Sequence, residues 1–291
     1  MAPARKASFG FLAAAVFVLP AWLLWWSAWP PQGAKPFPAK PLPAVLPEAS
    51  SPLSLRYLRV PILIYHSIAP YRADMSALVR RYTVPPESLE QQLHYLQQSG
   101  YTVISFESLL DAMTSANVAL PAKPVVITFD DGWEDVYRDA FPLLMKYGDT
   151  ATFFVFTNGI GNKDFMRWDQ LANMQAAGMD IESHSISHPY LSAMTDKAEL
   201  WKEIEGSKEI IASHLARAPD IFAYPFGSYK ELDIAMLKAA GYRAARADPG
   251  TMLTARPTVG ETTTDELYKL PGIQVTEDFA RFVSDLTAYE H

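Results

Sequence analysis

The 291-residue chain contains no cysteine. That excludes disulfides, thiolate metal centres, cysteine nucleophiles and lipid attachment at a cysteine. Any bound metal must be held by histidine, aspartate or glutamate. Positive charge is in short supply too: 25 Lys and Arg against 32 Asp and Glu leave a formal net charge of −7. A nucleic-acid-binding surface needs a basic field, so that class is set aside. What the chain has in quantity is apolar sequence, 49% by count, enough for a sizeable core in one large or two small domains.

One uncharged stretch, Phe9 to Trp29, covers 21 residues and follows Arg5 and Lys6. It is long enough to cross a hydrocarbon core of roughly 30 Å, and the preceding basic residues orient the N-terminus inward. Trp22, Trp25, Trp26 and Trp29 suit an aromatic belt at the far interface. No small-residue cleavage site follows, so an uncleaved anchor is expected over residues 1–29, the alternative being a cleaved signal that releases the protein. Pro30 to Pro52 then carries eight prolines in 23 positions, the composition of an extended spacer. Residues 30–58 are therefore read as a linker and 59–291 as the catalytic domain, lying outside the cytoplasm.

Within that domain strand-like and helix-like stretches alternate, the pattern of an α/β fold with a mainly parallel sheet. Strands are expected at Val60–His66, Tyr101–Ser105, Val125–Phe129, Ala151–Phe156, Asp180–His184, Ile221–Tyr224, Tyr242–Ala247 and Lys269–Val275. Apolar positions at 3 to 4 spacing predict helices over Pro86–Gln98, Phe106–Met113, Trp133–Lys146, Trp168–Ala177, Lys197–Leu215, Glu231–Ala239 and Asp278–Tyr289. About seven such units suit a closed or partly closed barrel better than an open sheet, although spacing alone does not decide it.

Four strand ends carry chemistry-bearing residues. Val125 to Phe129 is a continuous apolar run that stops at Asp130-Asp131-Gly132, where α/β folds place their sites. Capping of the next helix by one of these aspartates is the competing explanation. A second strand opens into His184-Ser185-Ile186-Ser187-His188. Two imidazoles four residues apart face one point if the segment turns helically, and with a carboxylate they form a normal zinc ligand set. The third end, Tyr224-Pro225-Phe226-Gly227, is a turn able to present a backbone N–H to an oxyanion, or simply a turn. The fourth is Tyr65-His66, where the histidine reads as structural alone but as a candidate general acid if the strands share a rim.

Thr128-Phe129-Asp130-Asp131-Gly132 and the His184–His188 segment resemble the first and second motifs of the polysaccharide deacetylases, the NodB-homology or carbohydrate esterase family 4 domain. The resemblance extends from about Val60 to the chain end. The strand ending at Tyr65-His66 is similar to a subgroup that includes poly-β-1,6-N-acetylglucosamine deacetylases. It implies a distorted (β/α)7 barrel that removes N-acetyl groups from amino sugars. By position, Asp131, His184 and His188 would hold a divalent metal, zinc first and nickel, cobalt or ferrous iron as alternatives. Asp130 would be the base and the N–H of Phe226 the oxyanion donor.

This sequence departs from the family pattern twice. The late histidine that serves as acid has no counterpart in Leu270–Val275, which leaves His66 for that role. The arginine that orients the base is replaced by Ala223, and Arg246 could supply the charge from a neighbouring strand, the alternative being a surface arginine. Trp133, Tyr224 and Tyr229 are candidate sugar-stacking residues, with packing as their alternative role. The expected partners are an N-acetylated polysaccharide and, through the anchor, the membrane. The chain is expected to be monomeric. A silent carbohydrate-binding barrel and a deacetylase of peptidoglycan or O-acetyl esters are the competing functions.

Overall fold

The computed structural model describes residues 40–46, 58–115, 117–247 and 264–289. The predicted anchor over Phe9–Trp29 lies outside them, and among the described residues no helix is long and apolar enough to cross a membrane. Among the described residues the strands are β1 (Ile62–Tyr65), β2 (Ser67–Ile68), β3 (Thr83–Val84), β4 (Thr102–Val103), β5 (Pro124–Asp131), β6 (Thr152–Val155), β7 (Asp180–Ser183), β8 (Ile221–Ala223), β9 (Ala244–Arg246) and β10 (Ile273–Gln274). The sheet runs β10-β1-β5-β6-β7-β8-β9, every pair parallel, with β4 beside the start of β5.

The curled sheet brings its two edges to one short segment. Leu270 bridges to Arg246 of β9 in parallel, with Ala247 N donating to Leu270 O and Leu270 N to Ala245 O. Three residues later Ile273 and Gln274 pair with Leu63 and Ile64 of β1. Gly272 lies between, where an added Cβ would come within 2.5 Å of Ile64 Cδ1. The seven-strand path linked in this way has the arrangement of a distorted (β/α) barrel. The predicted strand Lys269–Val275 is thus split: Leu270 faces one edge and β10 the other.

Both faces of the sheet are covered, which is why its strands read as unbroken apolar runs. On β5, Val125, Ile127 and Phe129 join a cluster with Leu89, Leu93, Val136, Leu144, Leu171 and Met174 from the helices. Val126, one residue out of phase, joins a second cluster with Phe154, Phe222 and Ala223. Helices Pro86–Gln98 and Glu231–Ala239 form as the spacing predicts. The predicted helices Trp133–Lys146 and Lys197–Leu215 contain wider π-helical turns, Val136–Ala140 and Lys202–Gly206, which apolar spacing does not reveal.

Part of the Pro-rich stretch is folded onto this body. Leu42 and Leu46 pack against the second cluster, and Trp201 Nε1 donates to Lys40 O at 2.7 Å. Lys40 Nζ pairs with Glu205 at 3.1 Å and with Glu209 at 2.9 Å.

Candidate active site

Register builds the site's rim. Ile64 lies opposite Thr128 and Tyr65 opposite Phe129, and Thr128 Oγ1 donates to Leu63 O at 2.7 Å, so His66 leaves β1 where Asp130 ends the apolar run of β5. Val155 of β6 lies opposite both Asp131 of β5 and Ser183 of β7, which brings His184 to the same end. Neither aspartate caps the next helical segment: both are within β5, and that segment starts at Glu134, after Gly132 and Trp133. The chain turns away through Asp131 at φ 74° and Gly132 at φ 86°. A Cβ on Gly132 would stand 2.9 Å from Ile160 Cδ1, so the turn against β6 accepts only glycine without rearrangement.

Asp131, His184 and His188 converge, each offering one ligand atom within 4.8 Å of the others. The histidine segment does not turn helically as expected. Ser185 and His188 take left-handed backbone, at φ 71° and 59°, and this tight loop brings the imidazoles together. Their Nε2 atoms are 3.1 Å apart, and Asp131 Oδ1 is 3.7 Å from His184 Nε2 and 3.3 Å from His188 Nε2. His184 Nδ1 lies 2.7 Å from Ala223 O, so that nitrogen carries the proton and leaves the Nε2 lone pair free.

The electrostatics favour the same state. Burial lowers the pKa of both imidazoles against the pull of the aspartates, that of His188 to about 4, so both are neutral near neutral pH. Burial opposes ionisation of Asp131, yet His188, His66, His184 and the Trp133 indole together hold its carboxyl below the usual range. Two imidazole lone pairs and one carboxylate aimed at a common point fit a divalent cation and repel one another without one.

The trio is braced from outside. Trp133 Nε1 donates to Asp131 Oδ2 at 3.0 Å, and Ser185 Oγ accepts from His188 N at 2.9 Å. Glu203, in the π-helical turn, accepts from Ile186 N at 2.9 Å, Ser187 N at 2.8 Å and Ser187 Oγ at 2.6 Å. The sequence reading did not single out Glu203. Its only signal was a carboxylate in a long helical pattern, on which nothing pointed toward a loop 16 residues upstream.

Asp130 is different. Only 4% exposed, it receives Arg246 Nη2 on Oδ2 at 2.5 Å, while Oδ1 is buried with no hydrogen-bond partner. Arg246 is itself 2% exposed and lies over the Phe154 ring, 5.2 Å from its centroid, which removes the surface-arginine alternative. Register explains the substitution: Ala223 of β8 and Arg246 of β9 are direct partners, so the guanidinium enters from the adjacent strand. His66 Nε2 lies 3.9 Å from Asp130 Oδ2, beyond hydrogen-bond range, and its buried Nδ1 has no partner. The His66 ring packs against Tyr82 at 4.8 Å, and Asp135 pins the following residues through Ser67 Oγ and Ile68 N.

The remaining expected site residues divide. Phe226 has φ 57° and turns its ring edge-on to His188 at 4.5 Å, while the next N–H, of Gly227, donates to Tyr224 O. Trp133 stacks on Phe165 at 4.5 Å and spends its N–H on Asp131, so it braces that carboxylate. Tyr224 is a correction. It is 2% exposed and lies between Phe222 and Tyr229, so packing at the end of β8 leaves it no free face for a sugar. Tyr229 covers it, half-buried, with its ring 4.8 Å away.

Known proteins share this pattern. The family pattern described as polysaccharide deacetylase matches residues 117–245. YxkH of Bacillus subtilis (strain 168), which bears a polysaccharide deacetylase name, is 32% identical over 193 residues, 66% of this chain and 66% of its own. Residues 117–245 of the chain carry a polysaccharide deacetylase domain. The poly-β-1,6-N-acetyl-D-glucosamine N-deacetylase of Staphylococcus aureus (strain MRSA252) is 25% identical over 207 residues, 67% of this chain and 71% of that enzyme. Among solved structures, the Streptococcus pyogenes deacetylase PplD, determined with acetate, superposes with a TM-score of 0.66 at 27% identity, covering 78% of this chain and 97% of PplD. The family match spans Asp130, Asp131, His184 and His188 but stops before Arg246.

Proposed function

We propose that the protein is a metal-dependent N-deacetylase that releases acetate from N-acetylglucosamine units of a polysaccharide outside the cytoplasm. The observation that carries this is the meeting of the Asp131, His184 and His188 donor set with a second, unliganded carboxylate at one strand rim. A divalent cation held by those three residues, zinc first, would acidify a water and polarise the acetamide carbonyl. Asp130 takes the proton of the attacking water on its unpartnered Oδ1. Arg246 engages Oδ2 and so fixes which oxygen is free. Charge developing on the acyl oxygen is met by the Phe226 N–H. His66, at the same rim, protonates the leaving nitrogen, which departs as the amine while acetate is released.

Several observations support the polysaccharide and its location. The S. aureus relative is named for poly-β-1,6-N-acetyl-D-glucosamine. The uncharged run Phe9–Trp29 behind Arg5 and Lys6 suits a membrane anchor with the domain outside. The retention of a base together with three ligands argues against a silent binding barrel. The deciding measurement is acetate release from a panel of poly-N-acetylglucosamine, peptidoglycan and O-acetylated glycans, with and without a chelator. Chelator-sensitive release from poly-N-acetylglucosamine is expected. No chelator-sensitive release from any glycan would overturn the enzyme reading, and release from another glycan alone would change the substrate.

A further inference from the structure

Two residues beyond His188 stands Tyr190, 53% exposed and the exposed large aromatic among the described residues. An aromatic ring held in water forgoes the burial that normally fixes such a side chain, so its setting matters. Tyr190 lies flat on Phe226, with centroids 3.9 Å apart and planes 12° apart. Phe226 in turn meets His188 edge-on at 4.5 Å. The exposed ring is therefore two ring contacts from a metal-ligand candidate, and one of its faces is already covered.

The platform is built rigidly. Phe226 reaches its place through a left-handed backbone, φ 57° and ψ 14°, which a bulky residue adopts only at a cost of roughly 1–3 kcal/mol. The Tyr190 loop is anchored by fully buried Leu191 and tied to the segment after Phe226. Lys230 Nζ donates to Ser192 O at 3.1 Å and also to Met194 O, and the Ser192 and Ser228 hydroxyls are 2.5 Å apart. A ring fixed beforehand loses little conformational entropy when a ligand covers it, the condition for a stacking surface.

We infer that Tyr190, backed by Phe226, is a carbohydrate subsite that stacks on the apolar face of a pyranose ring neighbouring the sugar being deacetylated. The chemistry is that of C–H groups packing on an aromatic face while the sugar hydroxyls stay in water. The inference rests on the deacetylase reading for its location, and it separates two sugars of the chain: one whose acetamide reaches Asp130, and a neighbour held by Tyr190.

The test compares full-chain wild type, Tyr190→Ala and Tyr190→Phe on a long N-acetylglucosamine oligomer and on the N-acetylglucosamine monosaccharide. Tyr190→Ala is expected to raise the oligomer KM roughly five- to tenfold with kcat unchanged, from the loss of about 1 kcal/mol of ring contact. Tyr190→Phe should match wild type, and the monosaccharide KM should be unmoved. An unchanged oligomer KM in Tyr190→Ala would overturn the subsite, as would an equal rise for the monosaccharide. Oligomer Kd is measured in parallel by titration calorimetry in an Asp130→Asn background, where turnover plays no part. A weaker Kd from the added Tyr190→Ala change supports the subsite even if no acetate is ever released, and an unchanged Kd counts against it. Absence of acetate release from wild type would count against the deacetylase reading alone.

Discussion

The two halves of the site are built on opposite plans. Asp131, His184 and His188 are braced by the Trp133 indole, the Ala223 carbonyl, Ser185 and the Glu203 carboxylate. Asp130 and His66 each keep a buried polar atom with no partner, and Asp130 has the single tie to Arg246. A polar group buried without a partner costs about 1–3 kcal/mol, so such atoms persist where something else uses them. Under the proposed roles, ligands need to stay fixed while a base and an acid need an open valence, and the two hydrogen-bond patterns suit that division.

The sharpest way to break that comparison is Asp130→Asn. It should cut kcat by about 10³-fold, within the range for a general base, while leaving zinc affinity in chelator competition at the wild-type value. If zinc affinity falls as well, the two halves are not separate.

Arg246→Met comes next. It removes the one tie to Asp130 and is expected to lower kcat about 10²-fold, with a stability loss of roughly 3 kcal/mol from an uncompensated buried carboxylate. Equilibrium unfolding and kinetics on the same preparation measure both, and an unchanged kcat would remove Arg246 from the base's surroundings.

Glu203→Ala probes the other half. Zinc affinity should weaken about tenfold or more as the loop carrying His188 loses its three donors' acceptor, and Glu203→Gln should recover part of it. A loss of stability with unchanged zinc affinity would make Glu203 a fold residue only.

The smallest effect concerns an unpartnered atom away from the reacting groups. Asp233 Oδ1 is buried without a partner, and burial pushes its pKa up to about 6 from 3.8. Because the folded value is raised, the native state gains from the bound proton below about pH 4 and loses that gain as pH rises through 6. Asp233→Asn keeps an acceptor for Lys230 N and cannot ionise, so it should be more stable than wild type at pH 7 by roughly 1–3 kcal/mol and equal to it near pH 4. Urea unfolding at the two pH values reads the difference. A constant offset would mean that the open valence of Asp233 costs nothing through its charge.

Much of this was legible in the chain. The Asp130-Asp131-Gly132 and His184–His188 clusters are contiguous, and apolar runs ending at them place both on one rim. Helix positions followed from apolar spacing. The braces were hidden because they come from remote elements. Arg246 is seen to substitute for the residue missing at Ala223 only when the β8–β9 register is known. Glu203 reaches its loop from a π-helical turn that apolar periodicity reads as ordinary helix. Tyr224 shows the opposite error: an aromatic just past a strand end is packed between Phe222 and Tyr229 and does not meet solvent.

The stitch at Leu270–Gln274 bears on how the chain folds. Ile273 pairs with Leu63 across 210 positions of sequence, and Leu270 with Arg246 across 24. The longer pairing in particular is non-local, the kind of contact that slows folding. Until that segment arrives, β1 and β9 are open strand edges, each a template for another chain. Ribosomal synthesis delivers β1 long before the segment that covers it, 210 positions later, and for that interval the edge lacks its native cover.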